Sequence, residues 1–187
     1  MIPVILDSHE MTIAVIGSGP QAQRRLQLVD DAGARYVRVF AENPDADMVE
    51  LAGDRLVSRW PSEDEIAQCH VIYVANVDDS LAEKFTLQGR AAKTLVNVED
   101  VRPLCDFHVP AIVRRGDLVL TVSTGGKSPG LARRLKRELE RLFPEIWAER
   151  LQALALARDS WRAEGASFKE LLQRTDEFID RGKWLPK

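Results

Sequence analysis

The sequence predicts an α/β fold: a parallel, doubly wound sheet that carries a β-hairpin and ends in a helical domain. Three observations lead there. Between residues 11 and 98, short apolar runs alternate with stretches of helical spacing, the pattern of strands joined by crossover helices. The first of these runs is broken by Gly17-Ser18-Gly19. Beyond Asp100 the apolar period changes to two residues, and beyond Ser128 it becomes helical again.

Residues 11–16 end in Ile13-Ala14-Val15-Ile16, apolar at successive positions, which predicts a strand covered on both faces. Gly17-Ser18-Gly19-Pro20 stops it. From Gln21, the residues Ala22, Leu26 and Val29 recur at helical spacing, with Gly33 placed to end the helix. Residues 36–40 form the next strand and complete a strand–turn–helix–strand unit of about 30 residues, the length of a Rossmann-like dinucleotide-binding unit. Residues 42–50 are polar, and Pro44 argues against regular structure at their start. Residues 56–58 predict a short strand, and Ser62-Glu63-Asp64-Glu65 the acidic first turn of a short helix. A strand over 71–75, a loop over 76–79, a helix over 80–92 and a strand over 94–98 continue the alternation.

Past Asp100, Phe107, Val109, Ala111 and Val113 alternate with His108, Pro110 and Ile112; Leu118, Leu120 and Val122 alternate with Val119 and Thr121. Arg114-Arg115-Gly116-Asp117 lies between them with turn signals. This predicts a β-hairpin, with Pro110 marking an edge or bulge. A hairpin hung on a parallel sheet is suited to pairing with a second subunit, so a homodimer is expected. Ser128 as N-cap and Pro129 in the first turn open a helix whose stripe is Leu131, Leu135, Leu139 and Leu142, closed by Pro144. Residues 145–187 predict two or three amphipathic helices with Trp147, Leu151, Leu154, Trp161, Phe168, Leu171, Leu172 and Phe178 as core. The expected division is a nucleotide-binding domain over 1–106, a dimerisation and substrate segment over 107–143, and a helical domain over 144–187.

Composition narrows the function classes. The 187 residues are 45% hydrophobic and 29% charged, as in a globular protein. Twenty-six basic against 29 acidic side chains leave a net charge of -3, which gives no global attraction to nucleic acid or membrane. Residues 114–150 are locally basic, so an anionic ligand is expected on the second half. Cys69 and Cys105 match no metal or redox spacing and read as small buried residues in a reducing compartment. Neither a signal peptide nor a membrane span is visible, and a cytoplasmic protein is expected. Three scattered histidines, His9, His70 and His108, make a His-rich metal site improbable.

Four places hold chemistry. Gly17 permits a tight turn, Gly19 lets backbone approach a pyrophosphate, and Ala22 stands where a small residue lets the helix pack on the sheet. The helix start then offers N–H groups and partial positive charge to phosphate. A carboxylate should meet the adenosine ribose near the end of the second strand. Glu42 is the first acid there, somewhat late, and a solvated loop glutamate is the competing reading. NAD is favoured over NADP, although Arg38 leaves that choice open. Asn97-Val98-Glu99-Asp100 follows a strand at the carboxyl edge, where Asp100 is either a general base or a turn residue. Ser123-Thr124-Gly125-Gly126-Lys127-Ser128 combines hydroxyls, flexible backbone and a cation ahead of a helix. It suits phosphate or carboxylate but lacks P-loop spacing, and a simple glycine-rich connection is the alternative.

Together, Cys105-Asp106-Phe107-His108-Val109-Pro110-Ala111-Ile112-Val113-Arg114-Arg115-Gly116 and Ser123-Thr124-Gly125-Gly126-Lys127-Ser128-Pro129 with Leu131-Ala132-Arg133 resemble the precorrin-2 dehydrogenase/sirohydrochlorin ferrochelatase family. The resemblance spans about residues 1–143, with the helical tail matching only in character. It implies NAD-dependent oxidation of precorrin-2 to sirohydrochlorin, followed by insertion of Fe²⁺, with Fe²⁺ as a chelation substrate. It also implies that Asp100 is the catalytic carboxylate, and that Gly17, Ser18, Gly19, Pro20, Gln21, Ala41 and Glu42 contact NAD. The tetrapyrrole's carboxylates would meet Arg114, Arg115, Ser123, Thr124, Gly125, Gly126, Lys127 and Ser128, with Thr124 standing for a serine of the family. Gln21 departs from a small apolar residue and His108 from an apolar one; His108 is either a core substitution or an added metal or proton-transfer group. The methyltransferase domain fused in some members is not represented, so the chain is not expected to make precorrin-2 itself. A dehydrogenase without chelatase activity, a nucleotide- or tetrapyrrole-sensing module and a regulatory subunit are the alternative readings.

Overall fold

The structure, a computed structural model, describes residues 1–185. The chain divides into two compact units, Met1–His108 and a second that begins at Val109.

The first unit is a five-stranded sheet, all parallel, in the order β3-β2-β1-β4-β5. Its strands are β1 (Thr12–Ile16), β2 (Tyr36–Phe40), β3 (Leu56–Val57), β4 (Val71–Val74) and β5 (Leu95–Val98). Helices α1 (Gly19–Asp31), α2 (Ala46–Ala52), α3 (Glu63–Ala67) and α4 (Asp79–Ala92) connect them. The apolar runs that predicted β1 and β4 are covered on both faces, as their lack of alternation requires. Phe40, Phe85, Ile16, Ile72, Val74 and Val96 meet in one core cluster. The order of strands reverses between β1 and β4, which makes the carboxyl ends of those two strands the natural crevice for a ligand.

Several elements differ from the expected bounds for reasons visible in single residues. Helix α1 starts at Gly19 rather than Gln21, because Pro20 is tolerated in a first helical turn. Helix α2 forms within the stretch expected to be irregular. Pro44 lies before the cap, Asp45 accepts a hydrogen bond from the Met48 N–H at 2.8 Å, and Met48 and Ala52 are buried. The predicted strand residues Ala75 and Thr94 fall just outside their strands, yet both are anchored: Ala75 N–H donates to Ile16 O, and Thr94 Oγ1 donates to Cys69 O. The acidic turn at Ser62 is a capping box that opens α3.

The second unit holds an antiparallel hairpin of β6 (Ala111–Arg115) and β7 (Leu118–Val122), then α5 (Pro129–Leu142), α6 (Ile146–Ala163) and α7 (Phe168–Arg181). Pairing begins after Pro110, so Phe107, His108 and Val109, expected in the alternation, precede the strand. The tail forms two helices. Of its expected core residues, Leu171 is buried, Trp147, Leu151, Leu154, Trp161 and Phe178 are half-buried, and Phe168 and Leu172 are exposed. What holds this end is an aromatic chain: Phe143–Trp147, Trp147–Trp184, Trp184–Phe178 and Phe178–Trp161, at 5.1–6.1 Å between ring centroids. Arg150 lies over both Trp147 and Trp184.

Candidate functional site

The glycine loop follows β1 at the switch point. Gly17 has φ +123°, and a Cβ there would lie 1.8 Å from the carbonyl oxygen of Ala75, the residue after β4. No side chain fits, so the glycine is dictated by the approach of two loops at the carboxyl edge. Gly19 has φ +82°, and a Cβ there would come within 2.8 Å of Asn76 Nδ2. Asn76 in turn donates to Ser18 O at 3.0 Å, which braces the loop from the β4 side. Ala22 is fully buried, as its place against the sheet demands.

Around the start of α1 the donors converge on one carboxylate. Asp45 Oδ2 accepts from Ser18 Oγ at 2.6 Å and from Gly19 N–H at 2.6 Å; Oδ1 accepts from Gln23 Nε2 at 2.9 Å and from Met48 N–H at 2.8 Å. The Ser18 hydroxyl bond, followed by the Met48 backbone bond, holds the Asp45 carboxyl below its ordinary value. The corner therefore demonstrably holds an anionic oxygen group, which is the property a dinucleotide phosphate needs. Ser18, Gly19 and Asp45 are joined directly, with Pro20 and Gln21 next in α1; Ala41 is buried at the end of β2, and Glu42 is exposed beyond it. Asp45 lies in the polar stretch, outside the residues expected to form the site. The signal that could have found it is the helix-cap pattern of an Asp three residues ahead of an apolar Met48.

Asp100 follows β5 at the same edge of the sheet. It is exposed, with φ +60°, a conformation that favours Asn and Asp among non-glycine residues. The turn ahead of it is well fixed. Glu99 N–H donates to Val74 O at 2.9 Å, and the Glu99 carboxylate pairs with the Arg25 guanidinium from α1, both largely buried. Asn97 donates to Phe107 O at 2.9 Å, and Cys105 Sγ packs on the Val98 and Val101 carbonyls. Burial pushes the Cys105 thiol up, and it pushes the Cys69 thiol up to about 11; neither is a reactive thiolate. Arg25 was not singled out from the sequence, since nothing in its spacing announces a partner 74 residues away.

Arg38, the residue that bears on NAD against NADP, is engaged within the first unit. Its guanidinium lies over Phe40 and pairs with Glu65 at 3.2 Å, and Glu65 also takes both terminal nitrogens of Arg59.

In the second unit the candidate anion partners separate into two groups. Arg114 and Arg115 pair with Val119 and Leu118 beside the hairpin turn, whereas Ser123–Ser128 begin at the other end, beyond the Ala111–Val122 pair. Strand alternation places Arg115 on the face of buried Val113. Arg115 Nε donates to Phe143 O at 2.7 Å and its side chain is only 12% exposed. Arg114 lies on the opposite face. Thr124 Oγ1 bonds the Ser128 backbone, and Ser128 Oγ caps α5 by accepting from Leu131 N–H at 3.2 Å. Ser123 Oγ accepts from Gly125 N–H, Gly125 and Gly126 have positive φ, and Lys127 is exposed. His108 is exposed too, which removes the core-substitution reading in this conformation. Among the described residues no three His, Cys, Asp or Glu side chains gather as a metal site, and no helix is long and apolar enough to cross a membrane.

Comparison with known proteins adds a family context. Residues 4–111 match the family described as "Putative NAD(P)-binding", and residues 115–142 match "Sirohaem biosynthesis protein central". The chain is 36% identical over 149 residues to a siroheme synthase of Nitrosococcus oceani, covering 78% of this chain and 32% of that protein. It is 32% identical over 177 residues to a siroheme synthase of Stutzerimonas stutzeri, covering 92% of this chain and 37% of that protein. It thus spans about a third of the length of these relatives. The solved structure of SirC, a precorrin-2 dehydrogenase, superimposes with a TM-score of 0.81 at 26% identity, over 100% of this chain and 93% of that one.

Proposed function

The chain belongs to the family described as putative NAD(P)-binding, and from that premise we propose that it oxidises precorrin-2 to sirohydrochlorin with NAD. One observation carries the proposal: a single sheet edge bears both a glycine loop built around an anionic oxygen group and the fixed turn that presents Asp100.

When bound, NAD supplies the hydride acceptor; Gly17, Ser18, Gly19, Pro20, Gln21, Ala41 and Glu42 would hold it. The rest of the work falls to the chain. Dehydrogenation removes a hydride and a proton from the substrate, and Asp100 takes the proton and returns it to solvent, for which its exposure suits it. Arg114, Lys127 and the amides of Ser123–Ser128 bind substrate carboxylates. Arg115, turned inward, acts by holding the end of α5 through Phe143 O. In a second step Fe²⁺ enters as substrate, and Asp100 assists loss of the pyrrole protons. The support for this step is that the relatives are siroheme synthases.

We place the working molecule in the cytoplasm as a homodimer. The support for a dimer is the second unit: a two-stranded sheet is marginal alone, and the outer face of this one carries Ile112 and Val119 only half-buried. The test of function is to supply precorrin-2 and NAD, follow sirohydrochlorin absorbance, and then add Fe²⁺ or Co²⁺. Oxidation without metal insertion would leave a dehydrogenase alone.

A further inference from the structure

We propose that Asp45 is an internal anion occupying the phosphate corner of the dinucleotide loop, so that a bound dinucleotide displaces its carboxylate and loosens the start of α2. This rests on the nucleotide-binding reading above.

The carboxylate is saturated. A carboxylate offers about four acceptor positions, and Ser18 Oγ, Gly19 N–H, Gln23 Nε2 and Met48 N–H occupy them. The Asp45 N–H closes the arrangement by donating to Ser18 Oγ at 3.0 Å. Asp45 therefore has no acceptor left for a ribose diol while these bonds stand. The donors it holds are those of the phosphate corner itself. Pro20, the second residue of α1, has no N–H, and the Gly19 N–H is engaged by Asp45. Gln21 is then the first residue of α1 whose N–H is not taken in this way. A phosphate brought to Gly19 and Ser18 would meet a like charge at hydrogen-bond distance, which repels it. The carboxylate must turn out, and the Met48 N–H then loses its cap. Dinucleotide affinity and the order of α2's first turn are thereby coupled, and the coupling is reciprocal.

The experiment titrates NAD and, separately, adenosine into the wild-type chain, Asp45→Asn and Gln23→Ala, and follows exchange of the Met48 amide in the wild type. Asp45→Asn is expected to bind NAD about tenfold more tightly, the order expected when one like charge leaves a helix N-terminus. Gln23→Ala, which loosens the same carboxylate from outside the loop, moves NAD affinity in the same direction by a smaller factor. Adenosine affinity is the same in wild type and Asp45→Asn, and Met48 exchange quickens when NAD binds. Unchanged or weaker NAD binding by Asp45→Asn overturns the proposal and leaves the nucleotide reading standing. Weaker binding of adenosine as well would make Asp45 a ribose acceptor instead. Failure of all three chains to bind either NAD or adenosine overturns the nucleotide reading, and the internal anion with it.

Discussion

At the scale of the residue, the glycine loop is the most legible part of the sequence, because a steric demand can be met by only one residue type. Gly17→Ala places a methyl group against the Ala75 carbonyl at a positive φ. It should cost about 2–4 kcal/mol, read as a fall in the urea midpoint, with NAD binding lost in parallel. Asp100 is legible only as a carboxylate at a strand end. Asp100→Ala should abolish turnover while NAD binds as in the wild type, and unaltered turnover would remove Asp100 from the mechanism. Other residues owe their roles to partners the linear pattern does not disclose. Arg25 finds Glu99 through the fold, and Asp45 reaches Ser18 because α2 begins beside α1. Glu65, by contrast, finds its main partners close by in the sequence. Hydrogen bonds from Arg59 and the Ser62 backbone lower its carboxyl from 4.5 to about 2. A carboxyl held lower in the folded state stabilises the fold above its unfolded value and loses that contribution as pH falls toward the folded one. The urea midpoint should therefore decline between about pH 4.5 and 2, and Glu65→Gln should flatten that part of the decline. Equal slopes in the two proteins would show the pair to be neutral for stability.

At the scale of the element, strands covered on both faces and capped helices were readable from period and end signals, whereas α2 was not. It is seven residues long, too short to display a period, and its initiating side chain also serves the glycine loop. The hairpin was readable as a pair but not in its start, which Pro110 delays. Helix α5 shows where pattern reading overreaches: a periodic apolar stripe says that a face wants cover, not that the same chain supplies it. Leu131, Leu135 and Leu142 of α5 are 50%, 42% and 55% exposed, on a helix whose other face is charged. If a second copy covers such a face, Leu131→Glu and Leu135→Glu should shift the chain toward monomer in sedimentation equilibrium with helical content unchanged. A wild-type chain that is monomeric at every concentration would contradict the dimer.

At the scale of the whole molecule, the β3-β2-β1-β4-β5 order puts the glycine loop and the Asp100 turn on one edge, a juxtaposition that strand alternation predicts in kind. That Arg114 and Arg115 pair within β6 rather than standing in the turn was not legible, because it depends on register, which sequence spacing leaves undefined. The fold is shared along its full length with a precorrin-2 dehydrogenase, while the match covers only about a third of the siroheme synthase relatives. The proposed oxidation draws on this chain's own residues. Its most direct test is to mix the purified protein with precorrin-2 and NAD and record NADH and sirohydrochlorin together. Equimolar appearance of the two, absent in Asp100→Ala, is the predicted result; sirohydrochlorin formed without NADH, or no NAD-dependent oxidation at all, would contradict it.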